Sequence, residues 1–388
     1  MLPSIYLDWN ATTPPHPDVL EAMSRALASA WGNPASVHGP GRRARAHVDA
    51  AREAVAGLTG LSARDVVLTS GGTEANNLAL LHAFPAAGPP SGVRAGALVT
   101  SRIEHPSVVR VAEQLAGEGV VVVWAEPDPS GVVTPAAVEA AMDRAAAQAP
   151  LKLCTLQAVN HETGVVQPIA EVAERVHRRG ALLHVDAVQA AGRLGPEAWA
   201  GADLVSVAAH KIRGPKGIGA LVTRPGVRLR PVLLGGAQER GLRPGTQDPA
   251  AAAGFAAAAA CAATTAPRYA ALAPLRDRLE RELVALGRSA GAPPERNGEA
   301  PRAPHVTNLS WPGWRGDELC AALDLEGVAV SSGSACSAGT AEASPVLRAM
   351  LGEARAASAV RVSLGEETTA DEIDEALRRW ARVLARRA

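Results

Sequence analysis

From about residue 60 to 225, short β-branched runs alternate with amphipathic segments rich in Ala, Glu and Arg. That alternation predicts a mostly parallel sheet with helices packed on both faces, because parallel strands are joined by helical crossovers and bury both sides. Strands are expected at DVVLTS, GALVTS, VVVVWAE, LKLCTLQAV, ALLHVDAV, DLVSVAAH and GIGALVTR. Helices are expected at TEANNLALLHAF, PSVVRVAEQLAGEG, TPAAVEAAMDRAAAQ and PIAEVAERVHRRG, with Gly119 and Gly180 placed where helix C-termini favour glycine. After Leu233 the texture changes to GGAQERGLRPGT, then to an Ala-rich tract at 250–263 that reads as a helix. A Pro/Gly-bearing loop at 292–304 and a second α+β segment follow. The expected fold class is α/β, with a large domain over 16–255. A smaller α+β domain is built from 1–15 and 256–388 and carries a mobile cysteine-bearing loop at about 331–345.

Composition narrows the partners. Of 388 residues, 47% are hydrophobic and 20% charged, and the formal net charge is zero, so no broad field draws nucleic acid or anionic lipid. The first residues, MLPSIYLDWN, lack a basic segment followed by an apolar run. The Ala-rich tract is too short and too weakly apolar to span a membrane. Cys154, Cys261, Cys320 and Cys336 are widely separated, with no paired spacing of the zinc-site kind, so a reducing cytoplasm is the expected compartment. Basic charge is almost all arginine. The only lysines are Lys152, Lys211 and Lys216, so chemistry that needs a side-chain amine has three candidates.

Ligands of open α/β sheets collect beyond the C-terminal ends of the strands, where several residues stand out. LTSGGTEANNLAL puts a strand, a Ser-Gly-Gly-Thr turn and a helix start in succession. Free amides there suit a phosphate, although Thr73 also fits a plain N-cap. In HVDAVQAAG, Asp186 ends a strand, where a carboxylate can keep a ring nitrogen protonated or serve as a cap or salt-bridge partner; His184 reads as structural. In SVAAHKIRGPKGIGAL, Lys211 follows a strand directly, a position where desolvation favours imine formation with an aldehyde cofactor. Lys216 is its structural competitor. VAVSSGSACSAGT sets Cys336 in a Ser/Gly/Ala-rich loop, the exposure a reactive thiol needs. Arg361, in SAVRVSLG, suits bidentate binding of a carboxylate or a surface ion pair.

Taken in order, YLDWNATTP, GNPASVHGPGRRA, TSGGTEANN, EHPSVV, VNHETGVVQP, HVDAVQ, HKIRGPKG, GGAQERGLRPGT, SSGSAC and RVSLG closely resemble the cysteine desulfurase (NifS/IscS-like) family of class V aminotransferases. The resemblance runs nearly end to end and implies the fold-type I architecture of enzymes dependent on pyridoxal 5′-phosphate. It makes Lys211 the lysine that carries the cofactor, Asp186 the partner of its ring nitrogen and Gln189 a contact to its ring hydroxyl. His105 would stack on the ring and move protons near the substrate sulfur. Gly72, Thr73 and His210 would hold the phosphate, and Thr246 would reach it from the other subunit of a homodimer. Asn160 and His161 would also line the cofactor, Asn33 and Arg361 would bind the substrate, and Cys336 would take the sulfur as a persulfide. The implied reaction converts L-cysteine to L-alanine and passes sulfur to an acceptor protein, a scaffold or sulfur carrier, for iron–sulfur cluster or thio-cofactor synthesis. No resident metal is expected, with Cys336 open to a transient iron–sulfur contact.

Two positions depart from the family pattern. His161 stands where Asn is common, and Ala208 stands where a phosphate-binding Ser is expected, with Ser206 on the same strand face. The sequence stops at Ala388, soon after its last expected helix and without the extended tail that housekeeping iron–sulfur members direct to their scaffold. A selenocysteine lyase or another class V aminotransferase would share Lys211, Asp186 and the phosphate site, but a plain aminotransferase has no use for a loop thiol. A degenerate, non-catalytic partner is the remaining alternative, disfavoured because the lysine, aspartate, histidine and cysteine all stand together.

Overall fold

The computed structural model describes residues 4–85, 95–299, 301–332 and 343–386. Its centre is a seven-stranded sheet in the order Val66–Thr69, Gly219–Thr223, Leu204–Ala208, Leu182–Asp186, Leu151–Thr155, Ala97–Thr100, Val121–Trp124. Only Gly219–Thr223 runs against its neighbours; the remaining adjacent pairs are parallel. All seven strands lie within the expected segments.

Alternate residues of these strands feed two different apolar clusters, the signature of a sheet covered on both faces. Leu68, Val99, Val185, Val205 and Val222 point to one cluster, shared with the helices Gly39–Thr59, Pro135–Ala146, Ile169–Arg178 and Pro249–Ala262. Val67, Leu98, Leu153, Leu204 and Leu221 point to the other, shared with Gly72–Leu81 and Pro106–Gly117. Gly119 and Gly180 follow the ends of their helices at φ 97° and 69°, the left-handed region that glycine enters without steric cost. The Ala-rich tract is a mostly buried helix whose small side chains permit close approach. A Cβ added to Gly254 would stand 2.7 Å from Met23 Cγ on the helix Pro17–Ser29. Among the described residues no single helix is long and apolar enough to cross a membrane.

A further apolar cluster gathers Ile5 and Leu7 with residues from Tyr269 to Leu384, including the stacked pair Trp311 and Trp380. It surrounds an antiparallel sheet in which Val306–Ser310 lies between Ala359–Ser363 and Glu295–Arg296. The N-terminal strand Ile5–Tyr6 pairs in parallel with Val328–Ala329, tying the first residues of the chain to this layer.

The reversed strand shapes the connection that carries Lys211. Residues 209–218 join two antiparallel neighbours, closed at the base by the Ala208–Gly219 pair. Inside it, the Gly214 N–H donates to Ala209 O at 2.8 Å. Arg213 holds a left-handed φ of 65°, pinned by its N–H to Thr13 Oγ1 at 2.8 Å and by its guanidinium to Glu366.

His184, at the centre of the sheet, bridges its neighbours: Nδ1 meets Thr155 Oγ1 at 2.8 Å and Nε2 meets Ser206 Oγ at 2.9 Å. Burial, then the proximity of His82, drives its pKa down to about 3. As the pH falls below about 6.5, the unfolded chain takes up a proton that the folded one refuses, so the stability contributed by the neutral ring is complete above that pH and declines below it. The stability penalty of His184→Gln, measured by denaturant unfolding, is therefore expected to shrink by about 2 kcal/mol between pH 7 and pH 5. A penalty independent of pH would show that the ring titrates alike in both states.

Candidate active site

The C-terminal ends of the parallel strands deliver most of the expected residues to one edge of the sheet. Val66–Thr69 leads to Gly72 and Thr73, Ala97–Thr100 to His105, and Leu151–Thr155 to Asn160 and His161. Leu182–Asp186 ends in Asp186 with Gln189 beyond it, and Leu204–Ala208 leads to His210 and Lys211.

Asn10, a residue that the sequence reading passed over, ties this group together. It is 1% exposed. Its carbonyl accepts from Lys211 Nζ and, at 3.0 Å, from Gln189 Nε2. Its side-chain oxygen accepts from His305 Nε2 at 3.0 Å and Arg193 Nη1 at 3.3 Å, and its amide donates to His161 O at 3.2 Å. Lys211 Nζ also donates to Ala11 O at 2.8 Å, so its amine points at the N-terminal segment and across the strand ends. Arg361 reaches the same place from the other layer. Its Nη1 donates to His161 O at 2.9 Å and its Nη2 to Asp8 Oδ1 at 2.7 Å, while its buried Nε has no acceptor among the described residues.

Asp186 and His105 are joined by a relay that periodicity could not reveal. Asn76 Nδ2 donates to Asp186 Oδ2 at 2.7 Å and to Ser107 Oγ at 2.9 Å. Ser107 Oγ lies 2.7 Å from His105 Nδ1, and the Ser107 N–H donates to that nitrogen at 3.1 Å. With Nδ1 occupied as an acceptor, the neutral ring carries its proton on Nε2. Asp186 Oδ1 accepts the Val188 N–H at 2.9 Å, so the carboxylate is held at both oxygens. The bond from Asn76 to this carboxylate is charge-assisted, worth about 1.5–3 kcal/mol.

Burial leaves this site rich in neutral rings. It lowers the pKa of His105, which Asp186 raises in part and Lys211 lowers further. His161 meets His105 edge to face at 5.4 Å, and its pKa is pushed well below the usual value by burial, His105, Arg361 and Lys211. His210 falls to about 4, through burial and then the nearby Lys211, Lys216 and Arg193. The carboxyl of Glu104 behaves in the opposite sense, raised well above its usual value by burial and Asp186.

Asn160 lies among these residues with its side chain already engaged. Its amide donates to Ile103 O at 3.0 Å, and its oxygen accepts from the N–H groups of Glu162 and Thr163. It shapes the turn, and the neighbouring His161 is the side chain that faces His105. The hydroxyl of Ser206 is bonded to His184 and does not stand in for the serine replaced by Ala208.

The turn at Ser70–Thr73 leaves backbone donors open. The helix Gly72–Leu81 begins at Gly71 with no side-chain cap, so Thr73 is not the N-cap, and no described acceptor meets the amides of Gly72 or Thr73. A Cβ on Gly72 would stand 2.9 Å from Val188 Cγ2 and 3.5 Å from Ala208 Cβ. His210 Nδ1 is 3.2 Å from Thr12 Oγ1, leaving Nε2 for another partner. Asn33 and Thr246 are exposed, and no described hydrogen bond or ion pair joins either to the group around Lys211. Cys336 lies outside the described residues. Burial raises the pKa of each of the three described thiols: Cys154, Cys261 and Cys320, the last to about 12.

An amine, a strand-end carboxylate, an uncapped helix start and a buried guanidinium with an unused donor fit the four polar parts of a pyridoxal phosphate–amino acid pair: aldehyde, ring nitrogen, phosphate and substrate carboxylate. Comparison with known proteins supports that fit. Residues 5–376 match the aminotransferase class-V family. A cysteine desulfurase of Nostoc sp. is 40% identical over 351 residues, 89% of this chain and 84% of that protein. A cysteine desulfurase of Bradyrhizobium diazoefficiens is 38% identical over 378 residues, 96% and 92% of the two chains. A solved NifS-like protein superimposes with a TM-score of 0.84 at 32% identity, covering 98% of this chain and 99% of that one. This chain is therefore a member of the class V aminotransferase family, within its cysteine desulfurases.

Proposed function

We propose that this enzyme converts L-cysteine to L-alanine with pyridoxal 5′-phosphate as its cofactor, and that Cys336 receives the sulfur as a persulfide. The observation that carries the reading is the convergence of the Lys211 amine, the Arg361 guanidinium and the Asp186–His105 relay at one edge of the sheet. In this reading the two clusters that flank the central sheet belong to a large domain over 16–255, and the cluster around Trp311 and Trp380 to a small domain over 1–15 and 256–388.

Gly72, Thr73 and His210 would hold the cofactor phosphate, with Thr246 reaching it across a homodimer. Asp186 would face the ring nitrogen, Gln189 the ring hydroxyl, and His161, supported by Asn160, the substrate side. The cofactor, when bound, supplies an aldehyde for the substrate amine and a ring that accepts electron density from Cα. Arg361 and Asn33 orient the substrate carboxylate, the Arg361 guanidinium offering the planar fork that a carboxylate matches. Lys211 Nζ removes the Cα proton. His105 Nε2 holds the proton that the substrate sulfur gains or loses. The Cys336 thiolate attacks that sulfur: an S–S bond forms, the Cβ–S bond breaks with its electron pair going to carbon, Cβ is protonated, and Lys211 returns a proton to Cα before alanine leaves. The persulfide then passes its outer sulfur to a carrier or scaffold protein, in a cytoplasmic setting.

The decisive experiment incubates purified holoenzyme with L-cysteine and a reductant, measuring alanine, sulfide and the mass of the Cys336 peptide. With the reductant, equal alanine and sulfide are expected, and in a parallel incubation without it the Cys336 peptide is expected to gain one sulfur; alanine without sulfide in the first incubation would end the reading. In Cys336→Ala, sulfide and persulfide formation is expected to disappear while the cofactor keeps its visible absorbance. Undiminished desulfuration there would remove Cys336 from the mechanism. For Arg361→Lys, which keeps the charge but loses the fork, KM for L-cysteine is expected to rise about tenfold or more, equivalent to at least ~1.4 kcal/mol of binding, with less change in kcat. An unchanged KM would assign the carboxylate to another residue.

A further inference from the structure

Beside His105, a buried carboxyl holds an oxygen that the proposed reaction does not use. Glu162 is 0% exposed, and its backbone is pinned on both sides: the N–H donates to Asn160 Oδ1 at 3.0 Å and the carbonyl accepts from Asn308 Nδ2 at 3.2 Å. Its Oε2 accepts from Ser344 Oγ at 2.5 Å. Ser344 Oγ in turn accepts the Leu347 N–H at 3.0 Å, so the hydroxyl proton points at the carboxyl and not away from it. Oε1 has no hydrogen-bond partner among the described residues, and His161 Nε2 stands 3.7 Å from it.

The tautomer of His161 follows from the other side of its ring. Gln157 Nε2 donates to Ile103 O, which turns Gln157 Oε1 toward His161 Nδ1 at 3.4 Å. An amide oxygen only accepts, so Nδ1 carries the ring proton and Nε2 presents a lone pair. Nε2 and Glu162 Oε1 are then two acceptors facing each other away from water, a repulsive arrangement that one added proton turns into a hydrogen bond. Burial pushes the Glu162 carboxyl up to about 7, against the pull of Ser344 and Arg361. Burial also holds the His161 ring well below its usual value, helped by His105, Arg361 and Lys211. Both directions put the added proton on Glu162 Oε1, and a small side-chain rotation makes it a donor to His161 Nε2.

We propose that Glu162 is a positioning residue for the desulfuration: its Oε1 proton, donated to Nε2, fixes the His161 ring against His105, while its Oε2 fastens the start of the helix Pro345–Leu351. The inference rests on the reaction proposed above. His161 meets His105 edge to face at 5.4 Å, and with both nitrogens engaged it serves as a wall that holds the His105 ring in place. Ser344 is the N-cap of Pro345–Leu351, the first described helix after Cys336 in the chain. One carboxyl therefore joins the pocket wall to the segment that follows the thiol. The charged and titratable groups facing the pair are Arg361, whose Nη1 donates to His161 O at 2.9 Å, Asp8 held by Arg361, and His105 and Lys211. The strand Val306–Ser310 offers the neutral amide of Asn308, and the helix Pro345–Leu351 the hydroxyl of Ser344. As the pH rises through about 7 the Oε1 proton leaves to solvent. The hydrogen bond to His161 is then lost, and a new negative charge competes with the substrate carboxylate for Arg361.

The test uses the holoenzyme. Between about pH 6 and about pH 8.5, pH-difference infrared spectra are expected to show a protonated carboxyl C=O band disappearing, and the band is expected to be absent from Glu162→Gln. That amide keeps the bond to Ser344 and a donor for His161 but cannot ionise. Cysteine and thiol titrations are common to both enzymes, so kcat/KM of Glu162→Gln relative to the unaltered enzyme is expected to rise about tenfold across that range. His161→Phe keeps a ring but removes the acceptor, and is expected to lower the midpoint of the band; it carries the test if Glu162→Gln folds poorly. An unchanged band in Glu162→Gln, a kcat/KM ratio independent of pH, or an unmoved midpoint in His161→Phe overturns the inference. The infrared band is read without turnover, so a missing band in an enzyme that makes sulfide sinks this inference alone, and a band present in an enzyme that makes none sinks the reaction.

Discussion

The active edge of this protein depends on one carbonyl. Asn10 O accepts from both Lys211 and Gln189, while the remaining polar groups of Asn10 are bonded to His161, Arg193, His305 and Ser363. Those partners come from the strand ends of the central sheet and from the antiparallel layer. A single N-terminal residue therefore sets how the two layers meet around the lysine. With each of its four polar atoms bonded and almost no solvent access, its position is over-determined, and that fixes the direction of the Lys211 amine.

Burial explains the charge state of the site. Desolvation leads the causes that lower the pKa of His105, His161 and His210, so the rings are neutral near pH 7 and able to exchange protons. Charged groups remain where a partner holds them. Asp186 has Asn76 and the Val188 amide, and Arg361 has Asp8. Neutral rings between a fixed anion and fixed cations form an environment suited to moving protons rather than storing charge.

Much of this was legible in the sequence. Strand alternation, the capping glycines and the strand-end positions of Asp186 and Lys211 are local patterns, and local patterns survive folding; His105 came only from the family resemblance. Asn10, Asn76 and Arg193 escaped because their roles come from long-range contacts: Asn10 meets Gln189 across 179 residues and Asn76 meets Asp186 across 110. Asn76 did leave a trace, an amide on the buried side of an otherwise apolar helix turn, which a closer count of polar residues on buried faces would find. Ser206 shows the converse. Its strand face suggested a phosphate contact, but its register placed it beside His184.

The short hairpin that carries Lys211 has a mechanical consequence. The strands leading to Gly72, His105, His161 and Gln189 continue into helices or longer crossovers, whose ends can shift as the helices settle. The lysine instead sits in a turn clasped by ladder bonds at its base and by Thr13 and Glu366 at its tip. In the proposed reaction the amine that must return to the same atom is thus mounted on a turn anchored at both its base and its tip.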